Sequence, residues 1–182
     1  MITRVLEGRN ISLRSIQVLD ADGPYLSWLN DKEINEYLES RFINWTTDLL
    51  RSYILDIEQR EDQFLFAICL KDQPVHIGNI KIGPINPHHR FADVGIMIGE
   101  KKYWGRGFAS EAIREICKFG FEELKLNKIT AGCYEANGGS VKSFERVGFE
   151  IEGRQRKKLC SESGFQDHIL MGILGSDFKY TP

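Results

Sequence analysis

Two hydrophobic rhythms divide the chain. Residues 63–70, 75–82 and 91–99 are short apolar runs, separated by the turn Lys71-Asp72-Gln73-Pro74 and by a loop from Gly83 to Arg90. Runs of that length between turn residues predict strands, and links this short favour antiparallel pairing. Ahead of them, residues 11–16 read as a strand with Ile11 and Leu13 on one face. Residues 19–38 read as helix in two pieces, broken near Asn30-Asp31, which can cap the second. Leu49, Leu50, Tyr53, Ile54 and Ile57 recur at helical spacing, which predicts a helix from Thr46-Thr47 to about Arg60.

Beyond Gly99 the rhythm lengthens. Ala109, Ala112, Ile113, Ile116, Cys117 and Leu124 share a stripe, so residues 108–124 are expected as an amphipathic helix. Residues 128–134 follow as a strand. Residues 140–147 follow as a short helix ended by Gly148, the usual place for a left-handed cap. Residues 149–154 and 165–174 form the last expected strands, joined through a polar loop holding Cys160 to Gly164. Antiparallel strands followed by strand, helix, strand, helix, strand give an α+β fold with a mixed sheet. No repeat or low-complexity linker interrupts the pattern, and the 182 residues are expected to form one domain, 1–182.

Composition narrows the function. Apolar residues make up 42% of the chain and charged residues 27%, with eleven Phe, six Tyr and three Trp to fill a core. Disorder is excluded on that ground. Twenty-four Lys plus Arg against 26 Asp plus Glu leave a formal charge of −2, so no overall positive field exists for general nucleic-acid binding. No apolar run has the length of a membrane span, and the amino terminus lacks the apolar block of a signal peptide. Cys69, Cys117, Cys133 and Cys160 form no Cys-x-x-Cys pair and read as reduced thiols of a cytoplasmic protein. His88 and His89 are adjacent in a Pro-flanked turn without further ligands at fixed spacing, so no metal is expected.

The chemistry concentrates where the strand ending near Gly99 passes through Tyr103-Trp104-Gly105-Arg106-Gly107 into the helix that begins at Phe108. Helix starts leave backbone N–H groups without partners and carry partial positive charge. Gly105 and Gly107 let the chain turn tightly and remove side chains that would keep a ligand away, and Arg106 adds a full charge. This is an anion site suited to phosphate or pyrophosphate, unless the two glycines merely shape the turn. The Gly-x4-Gly-Lys-Ser/Thr phosphate loop is absent, and the dinucleotide pattern fails at Ser110.

Lys102-Tyr103-Trp104-Gly105-Arg106-Gly107 resembles the Gln/Arg-x-x-Gly-x-Gly/Ala loop of the GCN5-related N-acetyltransferases (GNAT), with Lys102 where the family usually has Gln or Arg. Asn137-Gly138-Gly139-Ser140, then Phe144 to Phe149, then Glu152-Gly153, are similar to the family's Asn-x-x-Ser, Gly-Phe and Glu-Gly elements. Residues 8–14 and 28–31 are similar to the branch that includes ribosomal-protein N-terminal acetyltransferases. The resemblance implies a mostly antiparallel sheet of about seven strands, flanked by helices and splayed between its fourth and fifth strands, here residues 91–99 and 128–134. Acetyl-CoA enters that wedge as acetyl donor. Its pyrophosphate is expected on the amides from Gly105 through Arg106, Gly107, Phe108 and Ala109 to Ser110, beside Lys102, Tyr103 and Trp104. Its pantetheine is expected along Met97, Ile98 and Gly99, with Asn137 and Phe144 at the thiol end.

Direct transfer to an amine needs an unprotonated amine, a donor to the thioester oxygen and a proton for the departing thiolate. A strand N–H near Ile98 is the expected donor. Asp93 and Glu100 bracket the cofactor strand and are the candidate bases, or else solvated carboxylates. Phe144 stands where many members carry Tyr and cannot give a proton. Ser140 matches the serine assigned that role in the ribosomal branch, or else caps the short helix. Tyr25, Trp28, Glu33 and Tyr37, with Glu36 and Glu39, are the expected acceptor side. The basic run Arg154, Arg156, Lys157 and Lys158 is either a second rim or an exposed strand end. The acceptor is a small-molecule or protein amine, and the protein is expected as monomer or homodimer. A non-catalytic acetyl-CoA or phosphate-binding module and a dinucleotide-binding unit are the competing readings.

Overall fold

The computed structural model describes residues 4–162 and 164–180. Among the described residues, eight strands form one sheet in the order β1-β2-β3-β4-β5-β6-β8-β7, and five α-helices pack against it. The strands are β1 Val5–Glu7, β2 Ile11–Ser15, β3 Phe64–Leu70, β4 His76–Ile82, β5 Phe91–Ile98, β6 Lys128–Tyr134, β7 Glu150–Ser161 and β8 Gly164–Leu174. The helices are α1 Tyr25–Asn30, α2 Lys32–Asn35, α3 Thr47–Gln59, α4 Phe108–Glu122 and α5 Gly138–Glu145. Every neighbouring pair is antiparallel except β5 and β6.

Strand alternation explains the two cores. In β3, Phe66 and Ile68 point to the face covered by α4, while Leu65, Ala67 and Cys69 point to the face covered by α1 and α3. Both faces are buried, so β3 reads as a continuous apolar run rather than an alternating one. On the first face, Ile113, Ile116 and Phe119 of α4 pack on Ile80, Ile82, Val94 and Ile129. On the second, Trp28, Leu50 and Ile54 pack on Leu65 and Met97.

The local signals for helix starts hold. Asp31 accepts hydrogen bonds from the Glu33 and Ile34 amides and caps α2, and Thr46 accepts from the Leu49 amide and caps α3. The span 19–38 is more broken than two helices, because Gly23-Pro24 interrupts it: a 3-10 turn at Val18–Asp22 precedes α1, and another at Glu39–Phe42 follows α2. Three further expectations are corrected. The sheet has eight strands rather than about seven, because Val5–Glu7 pairs with β2. The short helix begins at Gly138 with Asn137 as its cap, so Ser140 lies within the first turn and is not the cap. The strand expected at 149–154 runs on through Ser161, because β8 supplies a partner there, so the basic run lies inside a long strand, with an irregularity between Gln155 and Leu159.

The splay is visible in the register. β5 and β6 pair only from Phe91–Lys128 to Asp93–Thr130, yet β5 runs on to Ile98 and β6 to Tyr134. Past that point β6 keeps only β8 as a partner. The Gly83 amide donates to the Asp93 carbonyl, and the Gly99 amide donates to Ile77 O (2.8 Å). Odd-numbered backbone groups of β5 therefore face β4, and those of Ile96 and Ile98 face the opening.

Candidate active site

The chain leaves β5 through a 3-10 turn at Lys101–Tyr103 and enters α4 across Gly105 and Gly107, both in the left-handed region with φ of 71° and 87°. A Cβ on either would meet nothing within 4 Å, so the space in front of α4 is open and the glycines are required by backbone conformation. No side chain caps α4, and its first main-chain bond runs from the Glu111 amide to Gly107 O (3.1 Å). The amides of Phe108, Ala109 and Ser110 are thus left for an outside acceptor. Ser110 is buried and its hydroxyl oxygen has no partner among the described residues. An uncapped helix start with an orphaned buried hydroxyl suits an anionic ligand, and the residues fit the diphosphate of coenzyme A.

Phe108 and Ala109 open into a cavity of about 550 Å³ lying in the splay. One wall is Ile96, Met97 and Ile98 of β5, a second is the loop with Tyr103, Trp104, Gly105, Gly107, Phe108 and Ala109, and a third is α5 with Asn137, Ser140, Lys142 and Arg146. Glu33, Glu36 and Tyr37 close the far end. The Trp104 indole donates to Ile98 O (2.7 Å), which fixes the loop against the strand.

The expected residues divide accordingly. Met97, Ile98, Tyr103, Trp104, Gly105, Gly107, Phe108, Ala109, Asn137, Ser140, Glu33 and Tyr37 line this cavity, and Arg106 and Ser110 line a smaller one beside it. Gly99 does not, because it lies against the Trp28 indole. Lys102 points outward, its amine 5.1 Å from the Tyr103 ring centre. Phe144 is buried against Phe149 with ring centres 4.9 Å apart. Tyr25 and Trp28 belong to the second core, Trp28 sitting edge-on to His76 at 5.0 Å. Their place on a short helix pressed on the sheet buries the rings that an acceptor would need.

Neither candidate base lines the cavity. Asp93 is exposed and accepts a hydrogen bond from the Thr130 hydroxyl, at the last paired position before the splay. Glu100 accepts from the Trp28 indole (3.4 Å) and has Lys102 at 3.9 Å. Glu33 is paired with Lys101 (2.5 Å). Glu36 has no cation on its carboxylate among the described residues, and burial together with its hydrogen bond raises the Tyr37 hydroxyl above the usual phenol range. Glu39 accepts from the Tyr134 hydroxyl (2.7 Å), which burial and this carboxylate push up to about 12.

Ser140 Oγ lies 3.4 Å from the Cys133 sulfur. Burial raises the Cys133 thiol, so it stays protonated at neutral pH and can donate to Ser140, leaving the serine hydrogen for the cavity. Sequence reading did not place Lys142 and Arg146 at the site. Their i, i+4 spacing puts them on one face of α5, which is the signal available once that helix is recognised. Among the described residues, no group of three His, Cys, Asp or Glu is gathered that could hold a metal ion. No helix there is long and apolar enough to cross a membrane.

Comparison with known proteins agrees with this geometry. Residues 10–150 match the family model of the acetyltransferase (GNAT) domain. The chain is 30% identical over 171 residues to the uncharacterized N-acetyltransferase p20 of Bacillus licheniformis, covering 92% of this chain and 94% of that one. It is 28% identical over 155 residues to the uncharacterized N-acetyltransferase YoaA of Bacillus subtilis, covering 84% and 86%. Among solved structures, the spermidine N-acetyltransferase from Vibrio cholerae, in complex with CoA and spermine, superposes with a TM-score of 0.83 at 25% identity, covering 92% and 97%. A GNAT-family acetyltransferase from Bacillus anthracis shares the fold with a TM-score of 0.81 at 22% identity, covering 95% and 99%. The helix start freed for an anion, the splayed pair of strands and the matched domain agree: the chain belongs to the GNAT family of acetyltransferases, which use acetyl-CoA as their acetyl donor.

Proposed function

We propose that this chain, acting as one unit over residues 1–182 in the cytoplasm, transfers an acetyl group directly to a primary amine carried by a small cationic acceptor. The observation that carries the reading is one cavity joining three features: the uncapped start of α4, the unpaired edge of β5 and the Glu36 carboxylate, which has no cation on it among the described residues. When bound, acetyl-CoA supplies a thioester carbonyl open to attack by an amine. The amides of Phe108, Ala109 and Ser110 hold phosphate oxygens. The Ile98 amide, on the unpaired edge of β5, donates to the carbonyl oxygen. Ser140 gives its proton to the departing sulfur and recovers one from solvent.

Glu36, Glu33 and Tyr37 draw the acceptor to the other end. An α-amine ionises near 8 and a lysine-type amine near 10.4, a difference of roughly 3.5 kcal/mol in deprotonation at neutral pH. The latter needs a nearby carboxylate. Glu36 lines the cavity and meets that need directly, whereas Asp93 and Glu100 act only through bridging water. A polyamine fits this end best, and the spermidine N-acetyltransferase of Vibrio cholerae supports that class.

The test is calorimetric titration with acetyl-CoA, followed by thiol release across polyamines, amino sugars and peptides with free amino termini. Polyamines are expected to turn over fastest. No acetyl-CoA binding up to about 1 mM would end the proposal. Binding without thiol release from any amine would show a non-catalytic coenzyme-binding module instead.

A further inference from the structure

Where β6 parts from β5, it carries a proton-handling group on each face. Cys133 points to the side of α5, where Ser140 Oγ lies 3.4 Å from its sulfur. One residue earlier and on the opposite face, the ring of His168 lies over Gly132. Its Nε2 is the ring atom nearest the spot a Cβ there would take, 2.2 Å away. Pairing of β5 with β6 ends at Asp93–Thr130, and the next residues on that face are Gly95 and Gly132, both exposed. Nothing lies within 4 Å of a Cβ built on Gly95, so the imidazole stands beside an open mouth. His168 pairs across the sheet with Tyr134, whose ring centre is 5.6 Å from that of Tyr37, a wall of the larger cavity. Burial and then Lys158 lower the imidazole below its usual range, against Glu39 and Asp93, so the ring is neutral at neutral pH. Its tautomer is fixed by β7. Lys158 donates to Gln155 Oε1 (2.7 Å), and His168 Nδ1 lies 3.2 Å from the same oxygen, which can only accept. Nδ1 therefore carries the hydrogen, and Nε2 keeps a lone pair with no hydrogen bond among the described residues.

We propose that His168 Nε2 is the base that takes the proton of the attacking amine, with Gln155 and Lys158 as the residues that position it. This rests on the acetyltransferase reading above. The amine nitrogen bonds to the thioester carbonyl carbon and the C–S bond breaks. Ser140 protonates the departing sulfur, and the proton shed by the nitrogen goes to Nε2. His168 then releases that proton to solvent and Ser140 takes one back, which restores both groups. Their placement on opposite faces of β6 suits a coenzyme lying on the α4 and α5 side and an acceptor arriving from the other. An imidazole ionising near neutral pH is matched to this transfer, whereas a carboxylate ionising at about 4 is a weaker base. Glu36 thus draws the acceptor's charge, and His168 receives its proton.

The test is thiol release in a single turnover, with enzyme in excess over acetyl-CoA, in wild type, His168→Ala and His168→Gln. The acceptor is spermidine, or the amine of the panel above that turns over fastest. The wild-type rate is expected to fall as pH drops below about 6.5, where Nε2 takes up a proton. The charged and titratable groups facing the ring are Lys158 of β7, Asp93 of β5, Glu39 after α2, and Tyr134 of β6 with Arg41 over its ring. The two variants remove the imidazole and leave all of these in place, so loss of the acid limb in both assigns it to His168. Each is expected to lower the rate at about pH 7.5 by about 10²-fold while acetyl-CoA affinity by calorimetry stays the same. Free imidazole is expected to restore His168→Ala and not His168→Gln, because only alanine leaves room over Gly132. Thermal melts confirm folding, and His168→Gln alone decides by rate and limb if the alanine variant does not fold. Variants within about threefold of wild type overturn the assignment and leave acetyl transfer intact. Slow variants that keep the acid limb and gain nothing from imidazole overturn it too, since the ring is then structural. A wild-type protein that releases no thiol to any amine overturns the acetyltransferase reading, and the base assignment falls with it.

Discussion

Replacing Gly107 with valine strikes the geometry to which the proposed coenzyme binding is assigned. Gly107 holds φ at 87°, where a β-branched residue is a true outlier, and nothing lies within 4 Å of the position its Cβ would take. The cost to the free protein is therefore backbone strain, about 1–3 kcal/mol, with no clash added. The loop can instead rotate φ to a negative value and relieve that strain, but then the amides at the start of α4 turn away. In either case valine methyl groups occupy the open space where phosphate oxygens are expected. Losing two charge-assisted hydrogen bonds at about 1.5–3 kcal/mol each removes about 3–6 kcal/mol. That is roughly a 10²- to 10⁴-fold rise in Kd for coenzyme A. Calorimetry on Gly107→Val reads the affinity and a thermal melt reads the strain. Gly95→Ala is the control, since Gly95 also faces open space but without a positive φ, and its coenzyme affinity should not change. A Gly107→Val protein that binds within about threefold of wild type would refute the assignment of these amides to the diphosphate.

Three other outcomes are expected. Ser140→Ala should lower kcat by about 10²-fold or more while coenzyme affinity stays the same, because it removes a proton donor rather than a phosphate contact; a fall of less than about threefold in steady-state thiol release would dismiss Ser140 as the acid. Gly99→Ala places a Cβ 2.5 Å from Cε2 of the Trp28 indole, which His76 and the Glu100 carboxylate hold from other sides. Overpacking of about 2–3 kcal/mol should lower Tm by about 5–10 °C, and a shift under about 2 °C would show that the indole yields.

The third concerns pH. Burial lowers the His76 imidazole below its usual range, against its hydrogen bonds to the Asn79 side-chain oxygen and the Gly78 carbonyl and the nearby Asp20, with Arg14 also acting to lower it. The unfolded chain thus takes up the proton first, and stability present above about pH 6.5 is lost as pH falls below it. His168 is lowered by burial too and acts in the same direction. Asp20, although pushed up by burial, is held below the carboxylate range by Arg14 and the Gln17 amide, so its contribution is lost only at lower pH, below about 4. Melts between pH 7.5 and 5.5 should show Tm falling in wild type and a flatter profile in His76→Gln. Equal slopes in the two proteins would remove His76 from the account.

Local rules made some elements legible and failed at others for identifiable reasons. Asp31, Thr46 and the α4 stripe act within one or two turns of their own backbone, so spacing alone located them. β6 matched its expected ends because Gly132 and the apolar residues around it are bounded by polar neighbours. β1 is three residues long, too short for periodicity to register, and exists because β2 offers an edge. β7 runs past its apolar section because pairing with β8 satisfies its backbone whatever its side chains are. Asn137 and Ser140 are both good cap residues, and only the turn from Tyr134, whose carbonyl accepts the Asn137 amide (2.9 Å), makes Asn137 the cap.

The site follows the same division. The order of glycines, arginine and helix start is carried by adjacent residues, so the uncapped helix start at Gly105 to Ser110 was determined by sequence, as was the strand that leads into it. Which aromatic rings reach a ligand was decided by tertiary packing: Tyr25, Trp28 and Phe144 satisfy the pattern of a site but are spent filling the two cores. Which charges remain free was decided there as well. Among the described residues Glu33 meets Lys101 and Glu36 meets no cation, while Arg9, Arg106, Arg114 and Arg146 gather around one opening. Charge neutralisation and burial depend on neighbours brought together through space, and a single sequence contains no record of that distance.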